Sequence, residues 1–151
     1  MQMEPTYLVD TNILLRLSKR DDPQHAVVQA ALDTLAEKGS GICCTPQNVS
    51  EFWNVCTRPA DRNGFGLSVG ETDQRLQAIE RTIDVLPDNE HIYPEWRRLV
   101  VRHGVRGVQV HDARLAAAMH VHRITHILTL DQPDFVRYTD IKIVPPESVR
   151  L

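Results

Sequence analysis

Cysteine is scarce in this chain, and that scarcity excludes a fold held by disulfides. Three cysteines occur in 151 residues. An odd count with Cys43 and Cys44 adjacent is no disulfide framework. Placed in a strand, those two side chains face opposite sides of a sheet and serve as small buried hydrophobes. No set of His and Cys has the short spacings of a structural zinc centre. No apolar run approaches the roughly 20 residues that cross a bilayer. A signal peptide is missing too: residues 1–6 are polar, and Asp10 and Arg16 interrupt the apolar stretch that follows. The expected location is the cytoplasm, with no membrane partner.

A basic excess is also lacking. Lys and Arg number 17 against 20 Asp and Glu, for a net charge of −3. Proteins that grip phosphates without specificity are usually basic. Any nucleic-acid contact here must use a local basic patch, a bound metal ion, or both. There is no internal repeat, low-complexity segment or interior linker. With 42% hydrophobic and 25% charged residues, the composition suits one globular domain over residues 1–151.

Short apolar runs alternate with helical patterns. Tyr7-Leu8-Val9 reads as a buried strand ending at Asp10. Thr11 or Asn12 can cap a helix that carries Ile13, Leu14, Leu15 and Leu17. A second helix starts near Asp22-Pro23 and ends at Gly39. Ile42-Cys43-Cys44 is a strand, broken by Thr45-Pro46 before a helix with Val49, Phe52, Trp53 and Val55. Residues 60–67 form a loop rich in turn formers. Ser68 with Glu71 makes a capping box for a fourth helix. Val85-Leu86-Pro87 is a third strand. A fifth helix ends near His103-Gly104, and a sixth begins near His111-Asp112. Ile127-Leu128-Thr129-Leu130 and residues 141–144 complete the strands. This alternation predicts an α/β fold with a central parallel sheet of about five strands, flanked by helices on both faces.

Ligands of such sheets bind at the carboxyl ends of the strands. Asp10 directly follows the first strand there. Glu51 lies early in the helix after the second, among Val49, Phe52 and Val55, so its face is open. Asp112 opens the sixth helix. Asp131 directly follows the fourth strand, and Asp134 comes three residues later. Taken singly, Asp10 and Asp112 read as helix caps, Glu51 as a surface residue, and Asp131 and Asp134 as turn residues around Pro133. As a set at one sheet edge they form an acidic pocket. Clustered carboxylates repel, and a divalent cation with a preference for oxygen relieves the repulsion. Phosphodiester hydrolysis is the matching chemistry, with no Ser, Cys or His nucleophile required.

Four segments carry a family resemblance in order. Leu8-Val9-Asp10-Thr11-Asn12-Ile13-Leu14-Leu15 resembles the opening motif of PIN-domain ribonucleases, and Ser50-Glu51-Phe52-Trp53 their second acidic motif. His111-Asp112-Ala113-Arg114-Leu115-Ala116-Ala117 and Leu128-Thr129-Leu130-Asp131-Gln132-Pro133-Asp134-Phe135 resemble the third and fourth. The resemblance implies a five-stranded parallel sheet, Mg²⁺ or Mn²⁺ in the acidic pocket, and hydrolysis of RNA. It implies catalytic Asp10, Glu51, Asp112 and Asp131, with Asp10, Asp112 and Asp131 on the metal. Asp134 competes for the fourth place, and Thr11 supports from behind. Small bacterial members are often VapC-type toxins of toxin–antitoxin modules, which implies a homodimer and a small antitoxin partner. The segment Thr57-Arg58-Pro59 with residues 63–68 resembles a subset of these. The alternatives are an RNA-processing nuclease or a non-catalytic RNA- or protein-binding module outside such a system.

Other features weigh less. An aspartyl phosphatase would want a second Asp where Asn12 stands. The basic stretch from Trp96 to Arg106 suits RNA phosphates or a solvated helix face equally. Arg114, one helical turn from the pocket, can reach a bound strand. Thr129 can support a carboxylate. His111 has no necessary acid–base role, and His120, His122 and His126 straddle a helix end without converging.

Overall fold

The computed structural model describes residues 3–151. Its strands are β1 (Tyr7–Val9), β2 (Ile42–Cys44), β3 (Asp84–Val85), β4 (His126–Leu128) and β5 (Lys142–Val144). Its helices are α1 (Thr11–Ser18), α2 (His25–Glu37), α3 (Pro46–Thr57), α4 (Val69–Glu80), α5 (Ile92–His103) and α6 (Val110–Val121). The strands form a five-stranded sheet in the order β3-β2-β1-β4-β5. Every pairing is parallel, as the alternation of strands and helices predicts.

Strand alternation divides the core in two. Leu8, Cys43 and Ile127 pack on one face of the sheet with Leu99 of α5 and Leu115 and Met119 of α6. Val9, Cys44 and Leu128 pack on the other with Ile13 of α1, Leu35 of α2, Phe52 of α3 and Ile79 of α4. Cys43 and Cys44 thus face opposite cores, and burial pushes each thiol up to about 12. They are packing groups rather than nucleophiles.

Local signals place the helix ends. Ser68 and Glu71 make the capping box of α4, and Gly104 stops α5 at φ +58°, a conformation glycine adopts without a steric cost. The loop after α3 folds back on that helix, with Phe65 N donating to Val55 O and Leu67 N to Cys56 O. A Cβ on Gly64 would lie 1.9 Å from Arg58 O. Gly64→Ala is therefore expected to lower unfolding free energy by ~2 kcal/mol in urea denaturation; an unchanged midpoint would show that the loop has room to move.

Several boundaries differ from the sequence expectation. Asp10, not Thr11 or Asn12, caps α1. The second helix begins at His25, after a turn in which Gln24 N bonds to Asp22 Oδ1. β3 is Asp84–Val85 and β4 stops at Leu128, so Asp131 does not directly follow its strand. Thr129 N still reaches Val144 O, but Leu130 N is taken by Asn12 Oδ1 and Asp131 N by Thr129 Oγ1. Side chains replace the ladder there, and the chain turns.

β1 lies at the centre, with β2 on one side and β4 on the other. Its carboxyl end is the point where the winding reverses direction, and such points open a crevice for ligands.

Candidate active site

Asp10 occupies that crevice. Its backbone N extends the ladder to Leu128 O at 3.0 Å. Its carboxylate accepts from Thr11 N through Oδ1 at 2.8 Å and from Thr129 Oγ1 through Oδ2 at 2.7 Å. Burial is nonetheless the larger influence. With the residue 7% exposed, the carboxyl is pushed up to about 6, with Glu51 and Asp131 adding repulsion.

The chain beyond β4 is tied to α1 by one amide. Asn12 Nδ2 donates to Asp131 Oδ2 at 3.0 Å and to Thr129 Oγ1 at 3.4 Å. Asp131 and Asp134 stand exposed, Asp131 just before a 3-10 turn over Gln132–Phe135 and Asp134 within it, and buried Phe135 anchors the turn. Burial and Asp131 together raise the pKa of Asp134.

The second wall comes from α3. Thr45 caps this helix in a reciprocal box with Asn48. Asn48 is fully buried. Its Oδ1 accepts from Thr45 N and Thr45 Oγ1, both at 2.9 Å, and its Nδ2 donates to Thr11 Oγ1 at 3.0 Å. Gln47 Nε2 donates to Glu51 Oε1 at 3.0 Å and to His111 O at 2.8 Å. That amide joins α3 to α6 and holds Glu51 on the site side of its helix.

Asp112 sits in the first turn of α6. Among the described residues, its carboxylate has no hydrogen-bond donor. Burial pushes it up to about 7, with Asp134 the strongest of four carboxylate influences, ahead of Asp10, Glu51 and Asp131. Asp10, Glu51, Asp131 and Asp134 therefore all lie close enough to act on Asp112 electrostatically.

Sequence reasoning singled out all five and Thr129. It also gave Thr11 a supporting place; the Thr11 backbone N–H serves Asp10, and its hydroxyl accepts from Asn48. The bridging amides of Asn12, Gln47 and Asn48 escaped it. The one available signal was the Thr45 to Asn48 spacing of a capping pair. The three histidines between the end of α6 and the start of β4 do not converge: His120 meets Glu95 and Asp140, His122 meets Pro87 O, and His126 meets Thr125. In the basic stretch, Arg98 is committed to Glu95 at 2.7 Å.

The PIN domain family model matches residues 7–140. The chain belongs to the PIN domain family. Solved structures share this fold at low identity. VapBC2 of Rickettsia felis, bound to a DNA fragment from its promoter, superposes with a TM-score of 0.67 at 13% identity, over 93% of this chain and 98% of that one. VapC20 of Mycobacterium tuberculosis, described as a sarcin–ricin loop cleaving toxin, gives 0.62 at 19% identity, over 87% and 95%. FitAcB of Neisseria gonorrhoeae gives 0.60 at 22% identity, over 95% and 99%. No curated protein matches the chain in sequence. The four acidic segments lie within the matched span.

The donor set suits a hard divalent ion. The cluster offers oxygen alone, and its most strongly perturbed carboxylate has free lone pairs. Among the described residues, no three His, Cys, Asp or Glu side chains gather tightly enough to hold an ion by themselves. Mg²⁺ tolerates this, because one or two carboxylates with retained waters suffice for it.

Proposed function

We propose that this PIN domain, read as spanning residues 1–151, is a divalent-metal-dependent endoribonuclease and the toxin of a toxin–antitoxin pair. The observation that carries the reading is the gathering of carboxylates at the switch point of the sheet, where burial and four neighbouring acids raise the Asp112 carboxyl to about 7. Such a cluster is costly unless a cation completes it. Asp10, Asp112 and Asp131 would hold Mg²⁺ or Mn²⁺, with Glu51 as the fourth catalytic carboxylate. Asp134 is the alternative ligand to Asp131.

When bound, the ion supplies charge stabilisation for the scissile phosphate and lowers the pKa of a water. The chain's own groups set the geometry. Thr129 orients Asp10 through Oδ2, Asn12 orients Asp131 through Oδ2, and Gln47 orients Glu51 through Oε1. Thr11 stands behind Asp10 as its backbone donor.

The toxin role is supported by solved structures of the same fold described as a toxin–antitoxin complex from Klebsiella pneumoniae and as a sarcin–ricin loop cleaving toxin. It brings with it a small antitoxin, a homodimer and a cytoplasmic site of action on RNA. No helix among the described residues is long and apolar enough to cross a membrane.

Purified protein is expected to cleave single-stranded RNA with Mg²⁺ or Mn²⁺ and to lose that activity in a chelator. Cleavage that survives the chelator would sink the metal mechanism. Induction in bacteria is expected to stop growth, with rescue by the product of an adjacent small gene. Unimpaired growth during confirmed expression would overturn the toxin role while leaving the nuclease standing.

A further inference from the structure

Beside the acidic pocket lies a cleft of about 400 Å³ between α3 and α6, lined by Ser50, Glu51, Asn54, Asp88, His111 and Arg114 among others. Its size falls in the range of small-ligand sites. Its floor is fixed, because Gln47 bonds to both walls, to Glu51 on α3 and to His111 O on α6. Glu51 belongs to the cleft and to the carboxylate cluster alike, so the two are continuous.

The rim consists of uncommitted polar groups. Ser50 and Asn54 stand one turn apart on α3, and His111 and Arg114 nearly so on α6. Among the described residues, the side chains of Ser50, Asn54 and His111 make no hydrogen bond. Arg114 Nη2 meets only Asp88 Oδ2, at 3.4 Å, with both side chains nearly half exposed. A pair this long and this solvated holds its partners weakly. A phosphate presents a better acceptor to a guanidinium.

Resting on the nuclease reading above, we propose that this cleft is the subsite for the RNA nucleotide next to the scissile phosphate. Arg114 takes that nucleotide's phosphate, exchanging Asp88 for it. The exposed His111 ring offers a stacking face for the base, and the Asn54 amide, a donor and an acceptor, reads the base edge. Asp88 thereby becomes a competitor of the substrate, a role no purely structural ion pair would have.

The test uses the full chain with Mn²⁺ and a random-sequence single-stranded RNA pool. It follows KM, kcat, salt dependence and mapped cleavage positions. Arg114→Ala is expected to raise KM about tenfold and to flatten the salt slope by about 0.7. Asp88→Asn is expected to lower KM a few-fold, the opposite sign. Asn54→Ala is expected to reduce base preference at one position by about tenfold. All three side chains are exposed, so thermal unfolding should stay unchanged and serve as the folding control. Cleavage by the parent protein with KM, salt slope and base preference unmoved in every variant overturns the subsite alone. A parent protein that cleaves no RNA overturns the nuclease reading and the subsite with it.

Discussion

Asp112→Asn is expected to abolish RNA cleavage while making the metal-free protein more stable at about pH 8. The loss should be at least ~10³-fold, since a charge aligned with the reacting phosphate is removed from a partly desolvated site. The gain follows from the sign of the shift. Burial and four other carboxylates raise the Asp112 carboxyl from 3.8 to about 7, so the fold disfavours its charged form. Stability linked to this group is complete below about pH 4 and is lost as pH rises through about 7. The full shift corresponds to ~4 kcal/mol. Solvent at the partly exposed carboxyl screens it to ~2 kcal/mol. Thermal unfolding in chelator between about pH 4 and pH 8 reads the effect directly: the parent should lose stability across that range, and the variant should show a flatter profile. A residual slope remains because Asp10, at about 6, contributes in the same direction. Added Mn²⁺ should stabilise the parent more than the variant. A variant that keeps its cleavage rate, or a parent with a flat profile, would remove Asp112 from the site.

Asp112 is a cleaner test than Asp10 for a structural reason. Thr129 Oγ1 gives its proton to Asp10 Oδ2 while accepting from Asn12 Nδ2 and Asp131 N. An asparagine at position 10 would aim either a second donor at that saturated hydroxyl or, flipped, one at Thr11 N. Loss of activity there would mix lost charge with a damaged cap. Asp112 has no such obligation among the described residues.

This contrast also explains which parts of the site are legible in the sequence. Asp10 and Asp112 are readable because each sits at the junction of an apolar run and a helix start, where chain direction alone fixes the position. The Cys43-Cys44 pair is readable because strand alternation has only two faces to offer. Glu51 is not placed by pattern, since its helix is apolar on several sides; its face is set by the Gln47 amide, a contact spanning 64 positions to His111 O. Asp131 is harder still. Its strand ends three residues earlier than the Asp itself, because two side chains take over the backbone donors of the next residues: Asn12, on another element, takes Leu130 N, and Thr129 takes Asp131 N. Long-range side-chain bonds to backbone leave no periodic trace. The neighbouring Asp134 also acts on Asp112 more strongly than Asp131 does, which linear distance from the strand would not suggest.

Asn48→Ala is expected to cost about 3 kcal/mol of unfolding free energy, the largest stability loss among these changes. The residue is fully buried, and its amide is the common partner of two segments. Removing it strands the Thr45 N–H and hydroxyl, the two donors that Oδ1 satisfies, and takes the donor from Thr11 Oγ1. Each buried group left without a partner costs on the order of 1 kcal/mol or more, and a small void adds to it. The consequence reaches the carboxylates, because Thr11 supplies the backbone donor of Asp10. Asn48→Asp separates the contributions: it keeps acceptor oxygens for Thr45, removes the donor to Thr11, and adds negative charge behind an already crowded acidic cluster. Its deficit should therefore be smaller than that of the alanine variant at about pH 4, where the new carboxyl is neutral, and should widen towards about pH 7. Urea unfolding at both pH values measures this. A loss under about 1 kcal/mol for Asn48→Ala would mean that water replaces the amide and that the α1 to α3 tie does not hold the site.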